Sequence, residues 1–189
     1  MSHALDPKFI KAVAQRATQL YSEKELEQAL DKLAQEISND LHETNLIVLC
    51  VMVGGIIPTG MLLTRLDFPL QVDYIHATRY GDDTTGKNLE WVVKPRVSLK
   101  NRTVLVVDDI LDGGITLQGI VNYCYEAGAA SVKTAVLVEK EVERLPQAIQ
   151  KADYTGVTVE NKFVYGYGMD YKRYLRNAPG IYAVSSEDE

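Results

Sequence analysis

Apolar positions change period several times along the chain, and each change predicts an element. Leu26, Leu30, Leu33 and Ile37, helped by Ala29 and Ala34, recur at three- and four-residue spacing, the stripe of an amphipathic helix. Ser22-Glu23-Lys24-Glu25 before them is a capping box: the serine oxygen accepts from the Glu25 amide while the Glu25 side chain reaches back. The first forty residues therefore read as helical. Over 46–53 the period vanishes into Leu-Ile-Val-Leu-Cys-Val-Met-Val, an apolar run suited to a strand buried on both faces. Gly54-Gly55 ends it, and Pro58 then predicts a helical first turn that continues over 60–66. Over 70–77 Val72, Tyr74 and His76 alternate with Gln71, Asp73 and Ile75, a more polar and less buried strand.

Residues 79–90 are polar and glycine-containing and predict a long mobile loop or a frayed hairpin. Strands over 103–107 and 132–138 flank a helix over 117–127, which Gly128 terminates. Short strand-like pieces over 154–159 and 163–165 fall in a tyrosine-rich tail. Alternating strands and helices predict an α/β fold around a mainly parallel sheet. The expected organisation is one domain over 1–189: N-terminal helices to 41, a core sheet over about 46–139, and a small hood from 154–189.

Composition narrows the function. A net charge of −6 argues against nucleic acid as the main partner, and 46% hydrophobic residues suffice for a core. No apolar run approaches the ~20 residues of a membrane span, and the N-terminus lacks a signal peptide's basic start and apolar centre. The expectation is a soluble, cytoplasmic chain that does not engage a membrane. Cys50 and Cys124 lie far apart in apolar stretches and read as buried, reduced thiols. His3, His42 and His76 are scattered without metal-ligand spacing.

Chemistry concentrates in Val104-Leu105-Val106-Val107-Asp108-Asp109-Ile110-Leu111-Asp112-Gly113-Gly114-Ile115-Thr116. A buried strand there delivers two adjacent carboxylates at its C-terminal end, where open α/β sheets bind ligands. A third carboxylate, two glycines and a threonine lead into a helix whose first amides suit an anion. Carboxylates beside a phosphate site require an intervening cation, such as Mg²⁺ shared with the substrate, or act on ribose hydroxyls instead. A turn in which Asp109 and Asp112 only cap the helix is the competing reading. Neither GxxxxGK[ST] nor GxGxxG occurs.

This segment resembles the phosphoribosyl-diphosphate signature of type I phosphoribosyltransferases. Other segments resemble the hypoxanthine-guanine branch of that family over nearly the whole chain: Met52-Val53-Gly54-Gly55, Arg79-Tyr80, Lys140, the run from Asn161 to Tyr171, and Arg176. The resemblance implies transfer of a phosphoribosyl group to hypoxanthine and guanine with release of pyrophosphate, assisted by Mg²⁺, in a homodimer or homotetramer. A xanthine-preferring enzyme and a non-catalytic regulatory protein of the same fold are the alternatives.

By the same resemblance, Asp108 and Asp109 hold ribose hydroxyls or metal, and Asp112 is the general base at the purine. Gly113, Gly114, Ile115 and Thr116 cradle the 5′-phosphate. Val53, Gly54, Gly55, Arg79, Tyr80 and Arg176 surround pyrophosphate, with the loop from Arg79 closing over it. Phe163 stacks on the base, the Val164 backbone bonds its edge, Lys140 donates to the six-position oxygen, and Lys162 flanks it. Asp170 is an outer metal ligand beside the purine. Two departures stand out: Val53 occupies a place often held by Lys or Arg, and Arg79 one often held by serine. An arginine at 79 would restore the missing charge near pyrophosphate. The family also carries a non-proline cis bond in the first loop, expected here at Val53-Gly54.

Overall fold

A computed structural model describes residues 5–79 and 89–189. The chain runs α1 (Pro7–Arg16), β1 (Thr18–Ser22), α2 (Glu23–Leu41), β2 (Leu46–Val51), α3 (Ile56–Leu63), β3 (Gln71–Arg79) and β4 (Leu89–Val93). It continues through β5 (Thr103–Leu111), α4 (Ile115–Glu126), β6 (Ser131–Lys140), β7 (Tyr154–Val159), β8 (Val164–Tyr165) and β9 (Gly180–Ala183). The main sheet has the order β4-β3-β2-β5-β6-β7, parallel except at β4, which pairs antiparallel with β3.

Strand alternation divides the core between the two faces of this sheet. Leu46, Val48, Leu105, Val107, Ala135 and Leu137 pack against Leu26, Leu30, Leu33 and Ile37 of α2 and Leu62 of α3. Ile47, Leu49, Val51, Val104 and Val106 pack on the other side against Leu117, Ile120 and Cys124 of α4. Burial on both faces accounts for the unbroken apolar runs of β2 and β5. Cys50 and Cys124 are buried and unbridged, as expected. The capping box forms at α2: the Ser22 amide donates to Glu25 Oε2 at 2.8 Å and the Glu25 amide to Ser22 Oγ at 3.4 Å.

Four expectations change. β7, expected in the hood, instead forms the outer strand of the main sheet, pairing parallel with β6 from Ala135↔Tyr154 to Lys140↔Val159. The first forty residues are not wholly helical, because β1 lies between the helices and pairs with β9 in a small sheet of order β1-β9-β8. That sheet and α1 share a cluster of Ile10, Val13, Tyr165, Tyr171 and Val184, so the hood draws on both chain ends. The segment 79–90 is framed by strands: Thr78 pairs with Glu90 and Arg79 with Leu89, which favours the hairpin reading, while 80–88 lie outside the described residues. Finally, β5 runs four residues past the expected end, so Asp108 and Asp109 stand inside the strand. Its register with β2 stops at Cys50↔Val107, whereas that with β6 continues to Leu111↔Glu139. The overhang leaves one side of β5 unpaired where the carboxylates begin.

Candidate active site

The C-terminal ends of β2, β5 and β6 meet at one edge of the sheet, the edge where loops between parallel strands and helices build ligand sites. A cleft of about 360 Å³ opens there, lined among others by Val53, Gly54, Asp108, Asp109, Asp112 and Thr116. A second cavity of about 190 Å³ adjoins it through Asp109, Asp112 and Asp170, and adds Lys140, Phe163, Val164 and Met169. The first is predominantly a loop and helix-terminus site; the second is walled by the hood.

On the cleft floor the Asp109 amide donates to Asp108 Oδ1 at 2.9 Å, and the Ile110 amide to Asp109 Oδ1 at 2.8 Å. Burial pushes both carboxyls above the ordinary range, and the neighbouring Asp109 charge pushes Asp108 further. Arg176 opposes this, its Nη1 standing 3.9 Å from Asp109 Oδ2 and its Nη2 2.5 Å from Asp170 Oδ1. Asp170 Oδ2 also accepts from the Arg173 amide at 2.6 Å. The Asp170 carboxylate is thus engaged through both oxygens, one by Arg176 and one by the Arg173 amide.

Asp112 follows β5, and Gly114 caps α4 with a left-handed φ of 73°. A Cβ at Gly114 would stand 2.6 Å from the Ile149 carbonyl oxygen, so only glycine suits this close turn. Ile115 and Thr116 form the first turn of α4 rather than a preceding loop, which leaves their amides at the positive end of a twelve-residue helix. Across the second cavity Lys140 Nζ donates to Asp112 Oδ2 at 3.0 Å. Lys140 is the last residue of β6 and is only 9% exposed, unlike the solvated lysine that its position after an apolar run suggests. Phe163 is 45% exposed, a face open to the cavity, while Tyr171 holds it edge-on at 6.0 Å between centroids.

The first loop carries its cis bond at Met52-Val53, one bond earlier than expected. Gly55 does not line the cleft; it caps α3 behind it, its amide donating to the Val51 carbonyl at 2.9 Å. Lys162 is not brought to either cavity and pairs with Glu160 at 3.0 Å, so its placement beside the purine is not supported by position. Tyr80 lies outside the described residues, and Arg79 is described as backbone only.

Gly168 ties the hood to this floor. Its φ is 112°, and a Cβ there would strike the Gly54 carbonyl oxygen and stand 3.3 Å from Asp109 Cβ. Its amide donates to the Arg176 carbonyl at 2.9 Å, and its own carbonyl accepts from Arg176 Nη1 at 2.5 Å. Gly168→Ala should cost about 2–3 kcal/mol in urea unfolding, because strain and overlap combine. Activity should fall beyond the loss of folded protein, as Asp109 and Gly54 are displaced.

A glycine-rich helix start beside paired carboxylates, at the edge of a parallel sheet, can hold an anion and polar groups next to a second, aromatic-walled pocket. Comparison with known proteins agrees. Residues 16–172 match the model of the phosphoribosyl transferase domain. The chain is 32% identical over 162 residues to the hypoxanthine-guanine-xanthine phosphoribosyltransferase of Tritrichomonas foetus, covering 86% of this chain and 88% of that one. It is 34% identical over 169 residues to a bifunctional protein TilS/HprT of Listeria monocytogenes, covering 89% of this chain but 26% of that protein. A crystal structure of a hypoxanthine phosphoribosyltransferase from Staphylococcus aureus superposes with a TM-score of 0.86 at 25% identity, covering 97% of this chain and 98% of that one. With the domain matched over most of its length, this chain belongs to the phosphoribosyltransferase family.

Proposed function

We propose that the protein transfers the 5-phosphoribosyl group of phosphoribosyl diphosphate to a 6-oxopurine, hypoxanthine or guanine, forming the nucleoside monophosphate and pyrophosphate. The observation that carries this reading is the Asp112–Lys140 pair, 3.0 Å apart in the small cavity beside Phe163 and adjoining the phosphate cleft. A donor and an acceptor fixed side by side match the six-position carbonyl and the neighbouring ring N–H of a 6-oxopurine. Adenine offers an amino group to the lysine and mismatches it.

In the reaction a purine ring nitrogen forms a bond to C1 of the ribose as the C1–O bond to diphosphate breaks. The transition state carries oxocarbenium character on the sugar and negative charge on the leaving group. Asp108 and Asp109 face the ribose hydroxyls, and amides from Gly113 to Thr116 take the 5′-phosphate. Asp112 accepts the proton that the purine loses, Lys140 donates to the six-position oxygen, and Phe163 stacks on the ring. Arg176 and the backbone of Val53 and Gly54 lie on the pyrophosphate side.

The donor chemistry suits Mg²⁺: two adjacent carboxylates, with no group of three or more acidic, His or Cys ligands among the described residues, fit an ion shared with substrate oxygens rather than caged by protein. When bound, it neutralises charge between these carboxylates and the diphosphate. Val72 and Tyr74 lie exposed on the sheet face that carries α3, whose Ile56 is also exposed, and this apolar surface supports self-association.

The test is the ultraviolet change on adding phosphoribosyl diphosphate and Mg²⁺ with hypoxanthine, guanine, xanthine or adenine. Turnover of hypoxanthine and guanine but not adenine is expected. Xanthine alone would reassign the base, and binding of phosphoribosyl diphosphate without turnover of any base would leave a regulatory protein.

A further inference from the structure

Arg144 lines neither cavity, yet its guanidinium reaches the backbone of both. It follows β6 by four residues, and its side chain is only 6% exposed. Nε donates to the Asp112 carbonyl at 2.7 Å, and Nη2 to the carbonyls of Leu111 at 3.0 Å and Lys140 at 2.6 Å. Nη1 donates to the Gln150 carbonyl at 2.9 Å. Among the described residues its one carboxylate partner, Glu139, is 3.9 Å from Nη1 and accepts from Thr155 Oγ1 at 2.7 Å. One planar cation therefore joins the end of β5, the end of β6 and the turn before β7.

A buried charge adds little to stability compared with a well-packed apolar group, so its value here lies in geometry. Two of the carbonyls belong to the residues whose side chains oppose one another at 3.0 Å, Asp112 and Lys140. The Gln150 bond also seats the turn whose Ile149 carbonyl backs Gly114. We infer that Arg144 is a positioning residue, setting the separation of Asp112 from Lys140 and the entry to the phosphate loop, and so coupling the base pocket to the ribose-phosphate cleft. This rests on the function proposed above. Lysine cannot replace it, since an ammonium lacks the planar fork that spans three segments.

The experiment compares wild type with Arg144→Ala and Arg144→Lys by steady-state kinetics, by hydrogen exchange of the 111–116 backbone, and by addition of millimolar guanidinium to the alanine variant. Misplacement on the scale of an ångström predicts a rise in purine KM of about tenfold and a fall in kcat/KM of about thirtyfold. Exchange at 111–116 should quicken in both variants, the lysine variant should not recover, and guanidinium should lower the purine KM of the alanine variant. A loss confined to kcat, with both KM values, exchange at 111–116 and guanidinium response unchanged, would mean a smaller folded fraction and overturn the inference. Should the alanine variant not fold, the lysine variant carries the same comparison. Should wild type turn over no purine, the proposed function fails, while exchange at 111–116 still decides whether Arg144 holds the loop.

Discussion

Asp112→Asn should lower kcat with hypoxanthine by about 100- to 1000-fold while leaving the KM for phosphoribosyl diphosphate within about twofold. The substitution keeps the shape of the side chain and one acceptor oxygen, so it changes little in the phosphate loop, whose contacts run through backbone amides. What it removes is the capacity to take a proton from the purine as the bond to C1 forms. It also leaves the nearly buried Lys140 ammonium without its negative partner, formerly at 3.0 Å. That second effect falls on the base, so the hypoxanthine KM should rise by several-fold. Measuring both KM values with kcat separates the two contributions. A fall in kcat smaller than about tenfold would reduce Asp112 to a hydrogen-bonding residue and move the proton acceptor elsewhere.

The central sheet was legible in sequence because burial on both faces writes itself as apolar runs: all of β2, residues 104–107 of β5 and 135–138 of β6. The capping box of α2 is equally local, a matter of residues 22 and 25, and it forms as read. β1 was hidden by its brevity and its partner: five residues pair with β9 some 160 positions away, and no nearby periodicity records that. The end of β5 was misjudged because aspartates usually mark a strand's end, whereas here the strand continues past β2 with β6 alone as neighbour. Within the site, the segment from Asp108 to Thr116 was readable since adjacent carboxylates and glycines are unusual together. Arg144 was not, for its partners are main-chain carbonyls, which carry no side-chain signature. Lys162 illustrates the reverse: adjacent in sequence to Phe163, it pairs away from the cavity with Glu160.

Asp108→Asn should make the ligand-free protein more stable near pH 8 and the enzyme far poorer at binding phosphoribosyl diphosphate. Asp108 and Asp109 are consecutive and enclosed, Gly54 lying so close that a side chain there would overlap the Asp109 carboxylate. Both carboxyls are held above their ordinary range by burial, Asp108 also by its neighbour's charge. In the unfolded chain each would titrate near ~3.9. Between that value and the raised folded one, the native state binds more protons, so this pair's contribution to stability declines as pH rises through the window and levels off above it. Replacing Asp108 with asparagine removes one charge yet retains an oxygen for the Asp109 amide. The expected gain is on the order of 1 kcal/mol at pH 8, shrinking toward pH 4, where wild type sheds the same charge by protonation. Calorimetric affinity for phosphoribosyl diphosphate with Mg²⁺ should meanwhile drop about 100-fold, the scale of losing a charge-assisted contact. Melting curves at both pH values check the first part; a variant less stable than wild type at pH 8 would show that Arg176 already compensates the pair. With the predicted outcome, the ligand-free protein holds its carboxylates at a cost that Arg176 offsets in part and that the sugar, or the cation it brings, would relieve further.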